Sequence, residues 1–188
     1  MNRKQLGVTL ILLFLMGVLL TGEKVFTSNI RRVVLTNNNI GDLNSYSDLE
    51  GMVNYRLPDS WDVEEKKYPG NYIVYDNSFV SREMGILGYV QVINSPKTIE
   101  TIMQDDKDRL KTGKIEMYKT DIEKISGKDV YKVVYNEIGD KGIVYINTIY
   151  YKEISENKVL KVLFSSSEEK YKEEYKTIYK VILDSFDD

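Results

Sequence analysis

From Gly51 onward, apolar residues alternate with polar ones in short runs broken by turn residues, which is the period of β-strands. The pattern predicts strands over 52–57, 71–76, 88–94, 115–122, 130–137, 143–152 and 159–164, with 82–87 as a loop. Pro58-Asp59-Ser60 stops the first strand. Ser126-Gly127-Lys128, Gly139-Asp140-Lys141-Gly142 and Ser155-Glu156-Asn157 are lengths that suit hairpins between antiparallel neighbours. Over 143–151 both alternating sets are apolar or aromatic, which predicts an inner strand covered on each face. Other strands carry one polar set, with Lys132, Asn136 and Lys161 among it.

Two stretches change period. Ser95-Pro96 predicts a helix start, Ser95 as cap and Pro96 at the first helical position, with Ile99, Ile102, Met103 and Leu110 on one face and Gly113 as the stop. Ser166 with Glu169 three residues on reads as the capping box of a last helix, whose stripe is Tyr171, Tyr175, Ile178, Ile182 and Phe186. Seven strands and two helices predict an α+β fold, an antiparallel β-sheet flanked by helices, over 51–188. There is no internal repeat of solenoid length.

The N-terminus is of another kind. Arg3 and Lys4 precede an uncharged run from Leu6 to Gly22, which as a helix would reach roughly 25 Å against a hydrocarbon core of about 30 Å. Residues 1–22 therefore read as a membrane anchor or signal segment, with contact to the membrane through residues 6–22. The cations before the run hold the N-terminus inside and send the remainder to the outer side. Leu20-Thr21-Gly22 only half meets a signal-peptidase site, so an uncleaved single-pass anchor is the expectation and secretion after cleavage the alternative. Residues 23–50, rich in Asn, read as a stalk, within which 30–35 has the composition of a strand or helical extension.

Composition narrows the chemistry. With 42% hydrophobic and 29% charged residues and a net charge of -3, the chain is a folded domain without the basic surface of a nucleic-acid binder. It has no histidine and no cysteine, which removes Cys/His zinc sites, thiol nucleophiles, Ser-His-Asp triads and disulfides. Carboxylate, Lys or Tyr chemistry and oxygen-ligated metals remain. Asp105, Asp106 and Asp108 are the dense carboxylate group, but on a helix they fan across well over 100° and Lys107 and Arg109 lie between them, so a solvated, ion-paired face is expected rather than a Ca²⁺ or Mg²⁺ site. Glu64-Glu65-Lys66-Lys67 and 168–172 read as solvated runs. Gly85, Gly88, Gly139 and Gly142 make no phosphate loop. Of the fifteen tyrosines, Tyr131, Tyr135, Tyr145, Tyr150, Tyr151, Tyr171, Tyr175 and Tyr179 fall where strands and helix pack, and are expected in the core or in cross-strand pairs. An aromatic ligand groove is the alternative.

Three local strings, Tyr55-Arg56-Leu57-Pro58-Asp59-Ser60-Trp61, Ser126-Gly127-Lys128-Asp129-Val130-Tyr131 and Ile182-Leu183-Asp184-Ser185-Phe186, resemble the PsbP/DcrB-like family in order and spacing over about residues 51–187. The resemblance implies an antiparallel sheet with helices on both sides, in exported or membrane-attached accessory, binding or assembly factors that share no catalytic motif. Trp61 matches as a structural residue closing one end of the core. The basic, His-bearing docking segment of the plant members has no counterpart here.

No residue is thereby assigned as catalytic, cofactor-binding or metal-ligating. The expected function is a membrane-anchored, extracytoplasmic, non-catalytic binding or assembly module that contacts other envelope proteins and no nucleic acid. The alternatives are a carrier or sensor taking a lipid, peptide or glycan in a Tyr-lined pocket, and a carboxylate-based cell-wall hydrolase.

Overall fold

The computed structural model describes residues 41–47, 51–110 and 114–187, together with Leu12, Leu13 and Met16. The chain divides into two compact units, Met1–Gly41 and Asp42–Asp188. In the first, Leu12, Leu13 and Met16 are helical and exposed. The rest of the anchor reading, the element predicted over 30–35 and the helix stop at Gly113 lie outside the described residues. Among the described residues no helix is long and apolar enough to cross a membrane.

The second unit runs β1 (Leu43–Ser47), β2 (Asn54–Pro58), β3 (Asp62–Glu65), β4 (Ile73–Ser81), β5 (Ile86–Asn94), α1 (Ile99–Leu110), β6 (Lys114–Ile125), β7 (Lys128–Ile138), β8 (Val144–Ser155), β9 (Lys158–Ser167) and α2 (Tyr175–Asp184). It is an α+β fold. Among the described residues β3 to β9 form one sheet in the order β3-β4-β5-β9-β8-β7-β6, antiparallel throughout, and β1 and β2 form a separate antiparallel pair. All seven predicted strands are present, and β8 lies inside the sheet beside the central β9. Turn chemistry sets the registers: Ser126 and Gly127 both take positive φ between Ile125 and Lys128, which is the two-residue hairpin whose twist matches the strands it joins.

Successive residues of a strand point to opposite faces, so the sheet has two cores. On one face Ile93, Val133, Tyr135, Ile149, Tyr151 and Val159 receive Ile102 and Met103 of α1. On the other, Trp61, Phe79, Phe164 and Tyr179 of α2 form a run of ring contacts, with centroids 5.1, 5.5 and 4.0 Å apart in that order. Gly88 stands in register between Phe79 and Phe164. A Cβ there would lie 2.6 Å from the Phe79 ring and 1.9 Å from the Leu163 carbonyl oxygen, so the missing side chain is what lets the two rings meet.

Several expectations are corrected. β1 falls in the stretch read as stalk, where it pairs with β2 from Leu43↔Pro58 to Ser47↔Asn54. The run at Glu64-Glu65-Lys66-Lys67 is exposed as expected, but its first two residues also end a strand not foreseen, β3, a short sheet edge where one side faces water and charge is tolerated. The first helix opens at Ile99, three residues later than Pro96. Its cap is Thr98, whose hydroxyl accepts the Thr101 N–H at 3.3 Å, while Ser95 accepts the Lys97 N–H at 3.2 Å in the turn before it. Ser166 opens no helix either. It lies fully buried in β9, because β8 and β5 offer partners (Ile146 and Ile86) that extend the strand to Ser167, and α2 starts only at Tyr175. Tyr171 therefore precedes the helix and Phe186 follows it.

Candidate functional site

The carboxylate cluster on α1 does not behave as one group. Asp105 is bound by Lys97 Nζ at 2.6 Å and Asp108 accepts a hydrogen bond from Gln104 at 3.1 Å, both at the surface. Asp106 turns inward, a correction to the solvated face expected for it. Its Oδ2 accepts Lys161 Nζ at 2.6 Å and the Tyr151 hydroxyl at 2.8 Å, and Arg109 Nη1 lies 3.6 Å from Oδ1. The Asp106 and Lys161 side chains are only 11% and 10% exposed, and the Tyr89 and Tyr151 rings each lie 5.7 Å from the ammonium. Two strands from Lys161, Asp76 accepts hydrogen bonds from Gln91 Nε2 and from the Ser78 hydroxyl at 3.3 Å. Asp106, Lys161 and Asp76 each have a partner, as burial requires.

Lys132, read only as one of a polar set, is half-buried on the α2 face. Its ammonium donates to Glu123 Oε1 at 2.7 Å, and Lys180 of α2 reaches Glu123 Oε2 at 3.3 Å. Burial alone would raise the Glu123 carboxyl, but the two lysines together outweigh it and hold the group below its ordinary value. Beside this pair opens a groove of about 530 Å³, floored by Val134, Ile146 and Thr148 and walled by Lys119 and Asp121 of β6 and by Tyr171 ahead of α2. Two buried polar atoms nearby have no hydrogen-bond partner among the described residues: Oδ1 of Asn136, which lines the groove, and the hydroxyl of Tyr150, whose ring lies 5.9 Å from Lys132 Nζ. An apolar floor with a few polar groups at its margin is the ordinary make-up of a binding groove. The sequence singled out Tyr171 and placed Asn136 with Lys132 in a polar set, but gave no sign that the outer residues of β6 would join them.

Tyr135, Tyr150, Tyr151, Tyr175 and Tyr179 are core residues, while Tyr131 reaches out to Glu100 at 2.7 Å. Burial pushes the hydroxyls of Tyr55, Tyr135, Tyr150, Tyr151 and Tyr179 well above the usual phenol range, Tyr151 further through the Asp106 charge. Their folded values lie above the unfolded one, so the stability they contribute is complete below about pH 10 and is lost as pH rises from there, at about 1.4 kcal/mol per pH unit for each. An alkaline titration should show phenolate absorbance and loss of near-UV dichroism moving together. Five buried hydroxyls ionising one by one in an intact fold would contradict this.

The three strings that carry the family likeness meet in space. Tyr55 stacks on Phe186 at 4.9 Å, the Arg56 N–H donates to the Ser185 hydroxyl at 2.9 Å, and the Ser126 hydroxyl donates to Asp184 at 3.0 Å. Pro58 ends β2, and the turn after it, closed by the Trp61 N–H to the Pro58 carbonyl at 3.1 Å, sets Trp61 under Phe79, 4% exposed. Their role is to close the α2 face.

The architecture is a PsbP/DcrB-like fold. Among solved structures, the chain is similar to cyanobacterial PsbP (CyanoP) from Synechocystis sp. PCC 6803, at 16% identity and a TM-score of 0.54, over 78% of this chain and 93% of that one. It is also similar to the Saccharomyces cerevisiae Ran-binding protein Mog1p, at 8% identity and a TM-score of 0.50, over 77% and 92%. A further match is LpqN, involved in cell envelope biogenesis of Mycobacterium tuberculosis, at 9% identity and a TM-score of 0.45, over 78% and 88%. No protein-family model matches the sequence, and no curated protein does.

Proposed function

We propose that this protein is a non-catalytic binding or assembly module of the cell envelope, held at the membrane by residues 6–22 with its folded unit on the outer side. The observation that carries the reading is the way the buried ionisable groups are used. Asp106 with Lys161 inside the fold, and Glu123 with Lys132 and Lys180 at its margin, are neutralised where they fix helix to sheet. An acid locked to a lysine in this way is poorly placed to exchange protons with a substrate. What the domain presents outward is a shallow groove and sheet surface of mixed character, suited to a partner rather than to a reaction. The outward location rests on the leader, with Arg3 and Lys4 before an uncharged run.

Crosslinking in intact cells, followed by mass spectrometry of co-purifying proteins, tests the module; enrichment of envelope proteins is the expected result and a set of cytosolic proteins would contradict it. Glu156 lies exposed in the turn between β8 and β9, and the chain has no cysteine of its own. Glu156→Cys should therefore react with a membrane-impermeant maleimide in intact cells, and reaction only after lysis would place the unit inside.

A second reading has its own observation. The unpartnered Asn136 Oδ1 on the groove lining suits a carrier or sensor whose ligand would supply the missing hydrogen bond. A small molecule retained in native mass spectra and lost in Asn136→Leu would favour it over the first.

A further inference from the structure

The outer edge of β6 has a surface that fits a second copy of itself. Among the described residues β6 is the last strand of its sheet, with β7 on one side only. It runs for twelve residues, and from Tyr118 to Ile122 all but Tyr118 are exposed, Ile122 at 56%. The N–H of Ile122 is taken by the Asp121 carboxylate of its own strand at 2.9 Å, which marks it as directed away from β7 toward the open edge. Tyr118 and Thr120 share that direction by alternation. A row of backbone donors and acceptors thus faces the open edge for strand addition, with the Ile122 N–H exchanging Asp121 for the carbonyl of an added strand.

We infer that two copies of this chain pair antiparallel through β6, about a two-fold axis at Thr120, joining their seven-stranded sheets into one. The register follows from elimination. Residues directly opposite in an antiparallel pair share a face, so a two-fold must pass through a residue and not between residues. Centred on Lys119, that lysine opposes itself; centred on Asp121, two carboxylates meet. Centring on Ile122 sets Asp121 against Glu123 twice. Centring on Tyr118 runs both strands through the bulge at Met117, whose φ is 55°. Centred on Thr120, Lys119 opposes Asp121 twice on the α2 face, and Tyr118 opposes Ile122 twice on the α1 face, covering the apolar residue the edge leaves exposed. Opposite charges and aromatic–β-branched pairs are the cross-strand combinations that stabilise a ladder, and like charges directly opposite destabilise it. The other edge, β3, is Asp62-Val63-Glu64-Glu65, whose three carboxylates suit no such pairing. Lys119 and Asp121 also wall the groove on the α2 face, so in the dimer the two grooves meet at the seam and each receives Asp121 of the other copy. The pairing itself does not depend on the proposed function.

The full chain in detergent should sediment as a dimer at micromolar concentration. Lys119→Glu and Asp121→Lys each set like charges opposite one another twice and should weaken the dimer roughly tenfold or more, while the double exchange restores it. Thr120→Cys should form a disulfide-linked dimer on mild oxidation, since opposed residues lie about 5.5 Å apart at Cα, within disulfide reach. The same substitution at Glu65 on β3 should not. All three β6 positions are exposed, so these variants keep the fold. A monomer at all concentrations overturns the inference. So does a dimer indifferent to the single charge changes, which would be held elsewhere, as by the leader; so does a double exchange that fails to restore association.

Discussion

Asp106→Ala is expected to cost the fold about 3 kcal/mol or more, measured as a lowered urea midpoint at unchanged slope. The substitution leaves the Lys161 ammonium almost enclosed between the Tyr89 and Tyr151 rings, which ease the charge without replacing a carboxylate 2.6 Å away. It also removes the acceptor of the Tyr151 hydroxyl, a second unsatisfied group in the same place. Lys161→Met should cost less, because Asp106 keeps the Tyr151 hydroxyl and Arg109. The double variant Asp106→Leu with Lys161→Met should recover most of the loss, since removing both charges removes both desolvation penalties. A loss below about 1 kcal/mol for Asp106→Ala would mean that the pair is solvated.

Phe164→Ala is expected to be at least as damaging, at about 4 kcal/mol. Phe164 is fully buried in the central strand and touches three rings: Tyr179 at 4.0 Å, Phe79 at 5.5 Å and Tyr150 at 6.3 Å. Its removal opens a cavity beneath α2 that the neighbouring strands, hydrogen-bonded on both sides, cannot close. The single tryptophan gives a clean readout, because Trp61 stacks on Phe79 and its fluorescence follows that end of the α2 face. Leu163→Ala is the control: one residue away, it points to the opposite face, is only partly buried, and should lose under about 2 kcal/mol. Equal losses at the two positions would mean that the α2 face is not the tighter core.

The contrast between the two faces also explains what could be read in advance. Alternation over β4 to β9 gave strands, their antiparallel order and the inner place of β8, because both faces of that strand are buried and its two residue sets are both apolar. The turn at Ser126-Gly127 was legible for the same kind of local reason, two residues that tolerate positive φ. The start of α2 was not. Ser166 and Glu169 satisfy a local capping rule, but Ser166 is claimed by two neighbouring strands from distant parts of the chain, and long-range ladders override a cap. Lys161 and Lys132 read only as members of a polar set, because polarity alone cannot distinguish a lysine facing water from one facing a carboxylate carried by another element. Asp106 was hidden for the same reason, since helical spacing separates it from Asp105 and Asp108 only once the position of the sheet is known. The groove combines residues of β6, β7 and β8 with the segment before α2, and no run of sequence contains it.

The pairing of β5 with β9 has a consequence for how the polypeptide reaches this state. Residues 86–94 find their neighbour only in residues 158–167, so the middle of the sheet cannot assemble before nearly the whole chain has been synthesised. Until then Val90 and Val92, fully enclosed in the finished molecule, stand open to whatever binds nascent hydrophobic segments. Such long-range pairing slows folding and prolongs the interval before the central strands are covered.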